Sequence, residues 1–354
     1  MAKKCIKKFL GAFLAGILAV IAFVYVLDPF YHYHGPWLGM DVYLYNAVYQ
    51  TAGAAKNLEY DSVLMGTSMT ENFRTSWFDE ELGWDTVKLS YSGARTNDLS
   101  AIFKQIYSSD NEIKNIFIDI NGYQLTVEPE TALVVRPEYL YDDNLFNDVN
   151  YVFNKDIITA GAGRLLAHMM GKEGNMDTAY SWGETSRFGK EVVFDVMRES
   201  RENPVPTTVF LEDMEHVMEM CNENLDNVGK VIKAHPETTF YIFYPPYSIL
   251  YWEELIYSGK IDGMHEVYKT SMEYFLQFPN VKLYSFQNER EIITNLDIYL
   301  DSCHHTPEIN RYIFECIRDG KNQITTENYE EELTQIFEYA RNFDYEAVWA
   351  EDVR

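Results

Sequence analysis

Five short apolar runs, set between stretches of helical spacing, constrain this chain more than any other feature. They are Ser62–Gly66, Thr86–Tyr91, Asn115–Ile120, Thr239–Tyr244 and Val281–Phe286. Short, mainly apolar runs alternating with helices belong to strands buried on both faces. A parallel sheet covered by helices on both sides meets that need. Helical spacing over Met69–Leu82, Thr96–Tyr107, Phe210–Ala234 and Met264–Phe278 supplies the covering layers. Thr306, a fair N-cap with proline at the next position, opens a further helix to about Ile317. Pro245-Pro246 end the fourth strand, since neither residue can donate to a ladder. The pattern predicts one α/β domain over 61–320. Residues 124–205 break the alternation. They are polar, aromatic and irregular, and predict an inserted cap. The remainder, 321–354, predicts an acidic amphipathic helix.

The first 60 residues read differently. Lys3, Lys4, Lys7 and Lys8 precede an uncharged run from Phe9 to Leu27. As a helix that run is about 28 Å long, close to the hydrocarbon thickness of a bilayer. Tyr31, Tyr33 and Trp37 follow it, as an interfacial belt would, and no Lys or Arg appears again until Lys56. A cleaved signal peptide would end in small residues, whereas this run ends in Phe23-Val24-Tyr25-Val26-Leu27. The expectation is a cytoplasmic tail over 1–8, one transmembrane anchor over 9–27, and a linker with a lead-in helix over 28–60. The N-terminus is then cytoplasmic and the body extracytoplasmic.

Charge and cysteine usage exclude several classes. The net charge is -26, and the four lysines of the first 27 residues leave -30 on the rest. Such a surface repels phosphate backbones, so nucleic acid is not an expected partner, and flat contact with anionic lipid is disfavoured. The four cysteines form no CxxC pair, which argues against a zinc knuckle, a redox motif or a disulfide scaffold. His32 and His34 lie in the aromatic stretch outside the apolar run, which explains them without a metal.

Ligands of open α/β sheets bind beyond the carboxyl ends of the strands. The polar residues expected there are Met65-Gly66-Thr67-Ser68, Ser92-Gly93-Ala94-Arg95, Asp119-Ile120-Asn121-Gly122 and a late loop, Asp301-Ser302-Cys303-His304-His305. A serine opening a helix sits at the positive end of the helix dipole, where N–H groups can face an oxyanion. Its hydroxyl is a weak nucleophile and needs a base, for which imidazole is suited. A carboxylate three residues before the histidine can hold the second ring nitrogen. Cys303 lies on the base's own loop, which disfavours it as a nucleophile. Arg95 can steer an anionic substrate or pair with surface acids. His305 is expected as a wall residue. Tyr244, with Tyr247, Tyr251 and Trp252, can line a glycan groove or pack in the core.

In order and spacing these blocks resemble the SGNH, or GDSL, hydrolase superfamily. Gly66-Thr67-Ser68, Gly93, Asn121 and Asp301-Ser302-Cys303-His304 resemble its four blocks. The resemblance implies a three-layer α/β/α flavodoxin-like sandwich with Ser68 as nucleophile, His304 as base and Asp301 as its orienter. It implies an oxyanion hole from Ser68, Gly93 and Asn121, and no metal or organic cofactor. Thr67 stands where the family has aspartate, and Asp119-Ile120-Asn121-Gly122 stands in place of G-x-N-D, which bears on Asn121. The layout of tail, anchor, early serine and late histidine is also similar to cell-envelope acyl-transfer proteins, the D-alanyl-transfer protein of teichoic acid modification and the alginate O-acetyltransferase family among them. That implies an esterase or O-acyltransferase acting on a cell-envelope glycan or polymer, with a membrane acyl-donor protein as partner in the transferase case. The other reading is a non-catalytic SGNH-like protein of envelope assembly or glycan binding.

Overall fold

The computed structural model describes residues 2–172 and 174–352. Met1 of the expected tail, Glu173 of the expected insertion and the last two residues of the expected C-terminal helix lie outside these. All five apolar runs are strands: β1 (Ser62–Met65), β2 (Thr86–Lys88), β3 (Asn115–Asp119), β4 (Thr239–Tyr244) and β5 (Val281–Ser285). They pair in parallel in the order β2-β1-β3-β4-β5, the flavodoxin-like order. A sixth strand, β6 (Gln323–Ile324), adds antiparallel to β5. The sequence did not foretell it, because two residues carry no period. The chain is therefore an α/β protein with a mixed, mostly parallel sheet.

Period-two alternation sends side chains to two separate cores. Val63, Met65, Ile116, Ile118, Phe240 and Ile242 meet helices Thr96–Ile106, Met214–Ala234 and Ile261–Phe275 on one face. Leu64, Phe117, Phe243 and Tyr284 meet Phe73, Phe78, Ile313 and Phe314 on the other. Three layers result.

The helices differ from expectation where polar side chains intervene. The expected helix Met69–Leu82 is two pieces, Ser68–Glu71 and Thr75–Leu82. Between them Phe73 turns into the core while the Asn72 side chain accepts the N–H groups of Trp182 and Gly183. The expected helix Phe210–Ala234 breaks at Asp213, which caps Met214–Ala234 by accepting from the His216 N–H. Helix Ile249–Tyr257 escapes a periodicity reading because it is apolar nearly all round, with Ile249, Leu250, Trp252 and Leu255 all buried. The C-terminal helix is also two pieces, Tyr329–Asn342 and Tyr345–Trp349.

Helix Ala2–Leu27 is long and apolar enough to cross a membrane. Its end is built into the domain. The buried Asp28 carboxylate accepts from the backbone N–H groups of His32, Tyr33 and His34 and from the Tyr151 hydroxyl. Arg164 donates to the carbonyls of Leu27 and Asp28. His32 pairs with Asp148, and His34 bonds to the Gly35 and Tyr25 carbonyls. Segment 124–205 contains no strand among the described residues, and its longer helices are Lys155–Met169 and Lys190–Glu202.

Candidate active site

The end of β1 turns sharply into helix Ser68–Glu71. Gly66 has φ +137°, and a Cβ there would lie 2.1 Å from Asp119 Oδ1. The parallel register explains this approach: Met65 pairs with Ile118, so Gly66 comes level with Asp119. Only glycine fits both the backbone angle and the space. Thr67 caps the helix by accepting from the Met69 N–H at 3.2 Å. The helix is a single turn, so its dipole is small and any oxyanion must rely on individual N–H groups.

Ser68 Oγ lies 2.7 Å from His304 Nε2. His304 Nδ1 lies 2.7 Å from Asp301 Oδ2. Asp301 Oδ1 accepts the backbone N–H groups of His304 (2.7 Å) and Cys303 (2.8 Å), which closes the loop around the carboxylate. Burial alone would raise the Asp301 pKa, but the bonds from His304 and from the two backbone N–H groups hold it below the ordinary carboxylate value. An ionised Asp301 can only accept. The proton therefore sits on Nδ1, and Nε2 is left to accept from the serine hydroxyl.

Among the described residues, neither the Ser68 N–H nor the Gly93 N–H donates within the protein. Gly93 adopts φ +75°, and a Cβ there would lie 2.6 Å from Leu133 Cδ2. Asn121 Oδ1 accepts the Gln124 N–H at 3.0 Å, which fixes the amide with its NH2 group toward Asp119 Oδ2 at 3.4 Å. Ser68, Gly93, Asn121 and His304 line one pocket of about 250 Å³, closed by Tyr123, Tyr247, Tyr251 and Glu254. The arrangement offers a serine hydroxyl, a base, an orienting carboxylate and nearby donors, the set required for acyl transfer.

The other candidates land elsewhere. Tyr244 is buried, its hydroxyl 2.7 Å from Ser271 Oγ, and it does not line the pocket. Strand alternation turns it to the same face as Ile242, into the core under helix Ile261–Phe275. Its neighbours Tyr247 and Tyr251 do reach the pocket. His305 is buried with Nδ1 toward the Thr306 carbonyl, and burial pushes its pKa down to about 4. It is neither a wall residue nor a second base. Arg95 starts helix Thr96–Ile106, and its guanidinium bonds to Thr131 and, at 3.4 Å, to the Tyr123 hydroxyl. It therefore reaches the pocket only through Tyr123. The Cys303 thiol lines the pocket, but burial pushes its pKa up, away from thiolate character.

Several supports went unread in the sequence. Trp182 donates from Nε1 to the Ser68 carbonyl at 3.0 Å and sets its ring edge-on to His304. Lys88, fully buried on β2, donates to the carbonyls of Glu71 (2.9 Å), Asp177 (3.2 Å) and Ala179 (2.9 Å). It thereby ties segment 124–205 to the serine helix. Burial pushes its pKa down to about 7. Glu71 accepts the N–H and hydroxyl of Ser92 at 2.8 and 2.7 Å, bracing the loop that carries Gly93.

Asp119 does the same for the serine turn. Its carboxylate accepts the Thr67 N–H at 2.7 Å and the Thr67 hydroxyl at 2.8 Å, and also the Asn121 amide. Burial outweighs these bonds and pushes its pKa up to about 6. The sign of the stability effect follows. An unfolded Asp gives up its proton near pH 4, while the native one keeps it to about pH 6. Asp119 therefore makes stability fall as pH rises through that window. Asp119→Asn removes this contribution. Its unfolding midpoint, followed from pH 4 to 7, is expected to decline less steeply than that of the parent chain. Parallel curves would show that Asp119 ionises as freely in the native protein as in the unfolded one.

No family model matches the chain, and no curated protein matches it. Among solved structures it is similar to a Streptococcus pneumonia protein put forward as a platelet activating factor. The identity is 11%, the match covers 77% of this chain and 88% of that one, and the TM-score is 0.38. A likeness at that score carries no argument about activity.

Proposed function

We propose that this chain is a membrane-anchored, extracytoplasmic serine esterase or O-acyltransferase acting on a glycan or polymer of the cell envelope. The observation that carries the reading is the continuous relay Ser68 Oγ–His304 Nε2 and His304 Nδ1–Asp301 Oδ2, both links 2.7 Å. Ser68 Oγ attacks the ester carbonyl carbon as its proton passes to His304 Nε2. Asp301 holds the imidazolium that forms. The oxyanion faces the N–H groups of Ser68 and Gly93 and the Asn121 amide. The leaving alcohol takes the proton from His304, and the acyl group on Ser68 then passes to water or to an acceptor hydroxyl. The apolar helix Ala2–Leu27, with lysines only at its first end, supports tethering with the domain outside.

One reagent tests both halves. A membrane-impermeant fluorophosphonate added to intact spheroplasts is expected to modify Ser68, read by mass spectrometry, and to leave the Ser68→Ala chain unmodified. Absence of labelling even after lysis would overturn the serine mechanism and favour a binding role. Labelling only after lysis would overturn the topology.

A further inference from the structure

Helix Lys155–Met169 runs back along the N-terminal helix. A side chain at Gly161 would touch Leu27 and Phe23 at 3.5 Å. Further along, Leu165 and His168 share with Ala19, Ala22 and Phe23 an almost wholly apolar groove of about 510 Å³. Ala19 lies eight residues before Leu27, or about 12 Å down the helix axis. The second helix therefore descends beside the segment read as the anchor.

Its composition departs from the rest of this acidic chain. From Ile157 to Met170 the only Asp, Glu, Lys or Arg is Arg164, which is buried with its guanidinium on the carbonyls that end the first helix. The outward face carries Leu166, Met169 and Met170, with Met169 75% exposed. Just before the helix, Phe146 is 94% exposed and Leu145, Val149 and Phe153 are exposed too. That stretch sits level with the anchor's end, because Tyr151 within it bonds Asp28. Gly171 follows at φ +61°, and Gly174 lies against Tyr43.

We infer that helix Lys155–Met169 is a second lipid contact, its Leu166–Met169–Met170 face inserted into the headgroup–acyl boundary of the outer leaflet beside the anchor. The inference rests on the anchor reading above. The uncharged run Phe9–Leu27 is about 28 Å long, close to a hydrocarbon core of about 30 Å, so Leu27 lies near the outer boundary and helix Lys155–Met169, running back beside it, enters the outer leaflet. At that depth Lys172, just past the helix, can snorkel to the headgroups. The overall negative charge does not oppose this contact, because the inserted face carries none of it and the driving force is apolar burial.

The test uses the full chain with Cys5→Ser, the other cysteines being buried or partly so, reconstituted in phosphatidylcholine vesicles. Bimane is placed singly at Met169→Cys, at Leu14→Cys in the anchor, and at Glu199→Cys on the exposed face of helix Lys190–Glu202. Nitroxide lipids labelled high on the acyl chain are expected to quench the Met169 probe at least threefold more than the Glu199 probe. Deep nitroxides should quench the Leu14 probe most. If Leu14 is quenched but Met169 behaves like Glu199, the face meets water or a protein and the inference falls while the anchor stands. If Leu14 is not quenched, the anchor reading falls and takes the inference with it.

Discussion

Ser68→Ala is expected to lower turnover of an activated acyl ester by about 10³-fold or more, equivalent to about 4 kcal/mol of transition-state stabilisation. The substitution removes the hydroxyl oxygen that lies within hydrogen-bond reach of His304 Nε2. It leaves the N–H groups of Ser68 and Gly93 in place, so a small residue of oxyanion stabilisation should persist over the uncatalysed rate. The fold should hardly respond. Ser68 is half-buried, and its link to Trp182 runs through the main-chain carbonyl, which alanine keeps. A melting temperature within about 2 °C of the parent is expected. A stable variant with near-normal turnover would remove Ser68 from the chemistry.

His304→Ala and Asp301→Asn should each be severe and should not add. Removing the imidazole leaves Ser68 without an acceptor and is expected to cost about 10³-fold or more in turnover. Asparagine at 301 can keep its oxygen on the N–H groups of Cys303 and His304, so the loop survives. Its NH2 group then faces His304 Nδ1, a donor where an acceptor stood. The imidazole is driven to carry its proton on Nε2, pointing at Ser68, which is the wrong tautomer for a base. A loss of roughly 10²- to 10⁴-fold follows. The double variant should be no slower than His304→Ala alone, since the carboxylate acts only through the ring. Losses that multiply would show two independent roles and dissolve the relay.

Local chemistry made part of this structure legible and hid the rest. The strands were readable because an apolar run of five or six residues between helical stretches has few other uses. Ser68, Gly93 and Asn121 were readable at strand ends and His304 on the late loop, and the fold brings them to one pocket. For Tyr244 a glycan groove and the core both stood open, although the signal to decide between them existed. Alternation puts it on the same face as Phe240 and Ile242, and hence inward. His305 was misplaced because adjacent residues in a loop can point oppositely, which no spacing rule encodes. Lys88 and Asp119 stayed hidden for a different reason. A charged residue in a strand ordinarily signals a solvated face. Here each is buried at a strand's carboxyl end, where its partners are backbone groups of distant segments. Trp182 lay in a region with no periodicity, and only the folded chain sets it against the Ser68 turn.

The Ser68–His304 hydrogen bond spans 236 positions of sequence, and the Trp182 contact that backs it spans 114. Synthesis runs from the N-terminus, so the apolar first helix and Ser68 emerge early while the histidine comes in the last sixth of the chain. A nascent or truncated chain carries its serine, yet holds no His304 beside it. Ser68 stands without that histidine throughout translation, and the pair first exists when nearly the whole polypeptide has arrived and the sheet has closed.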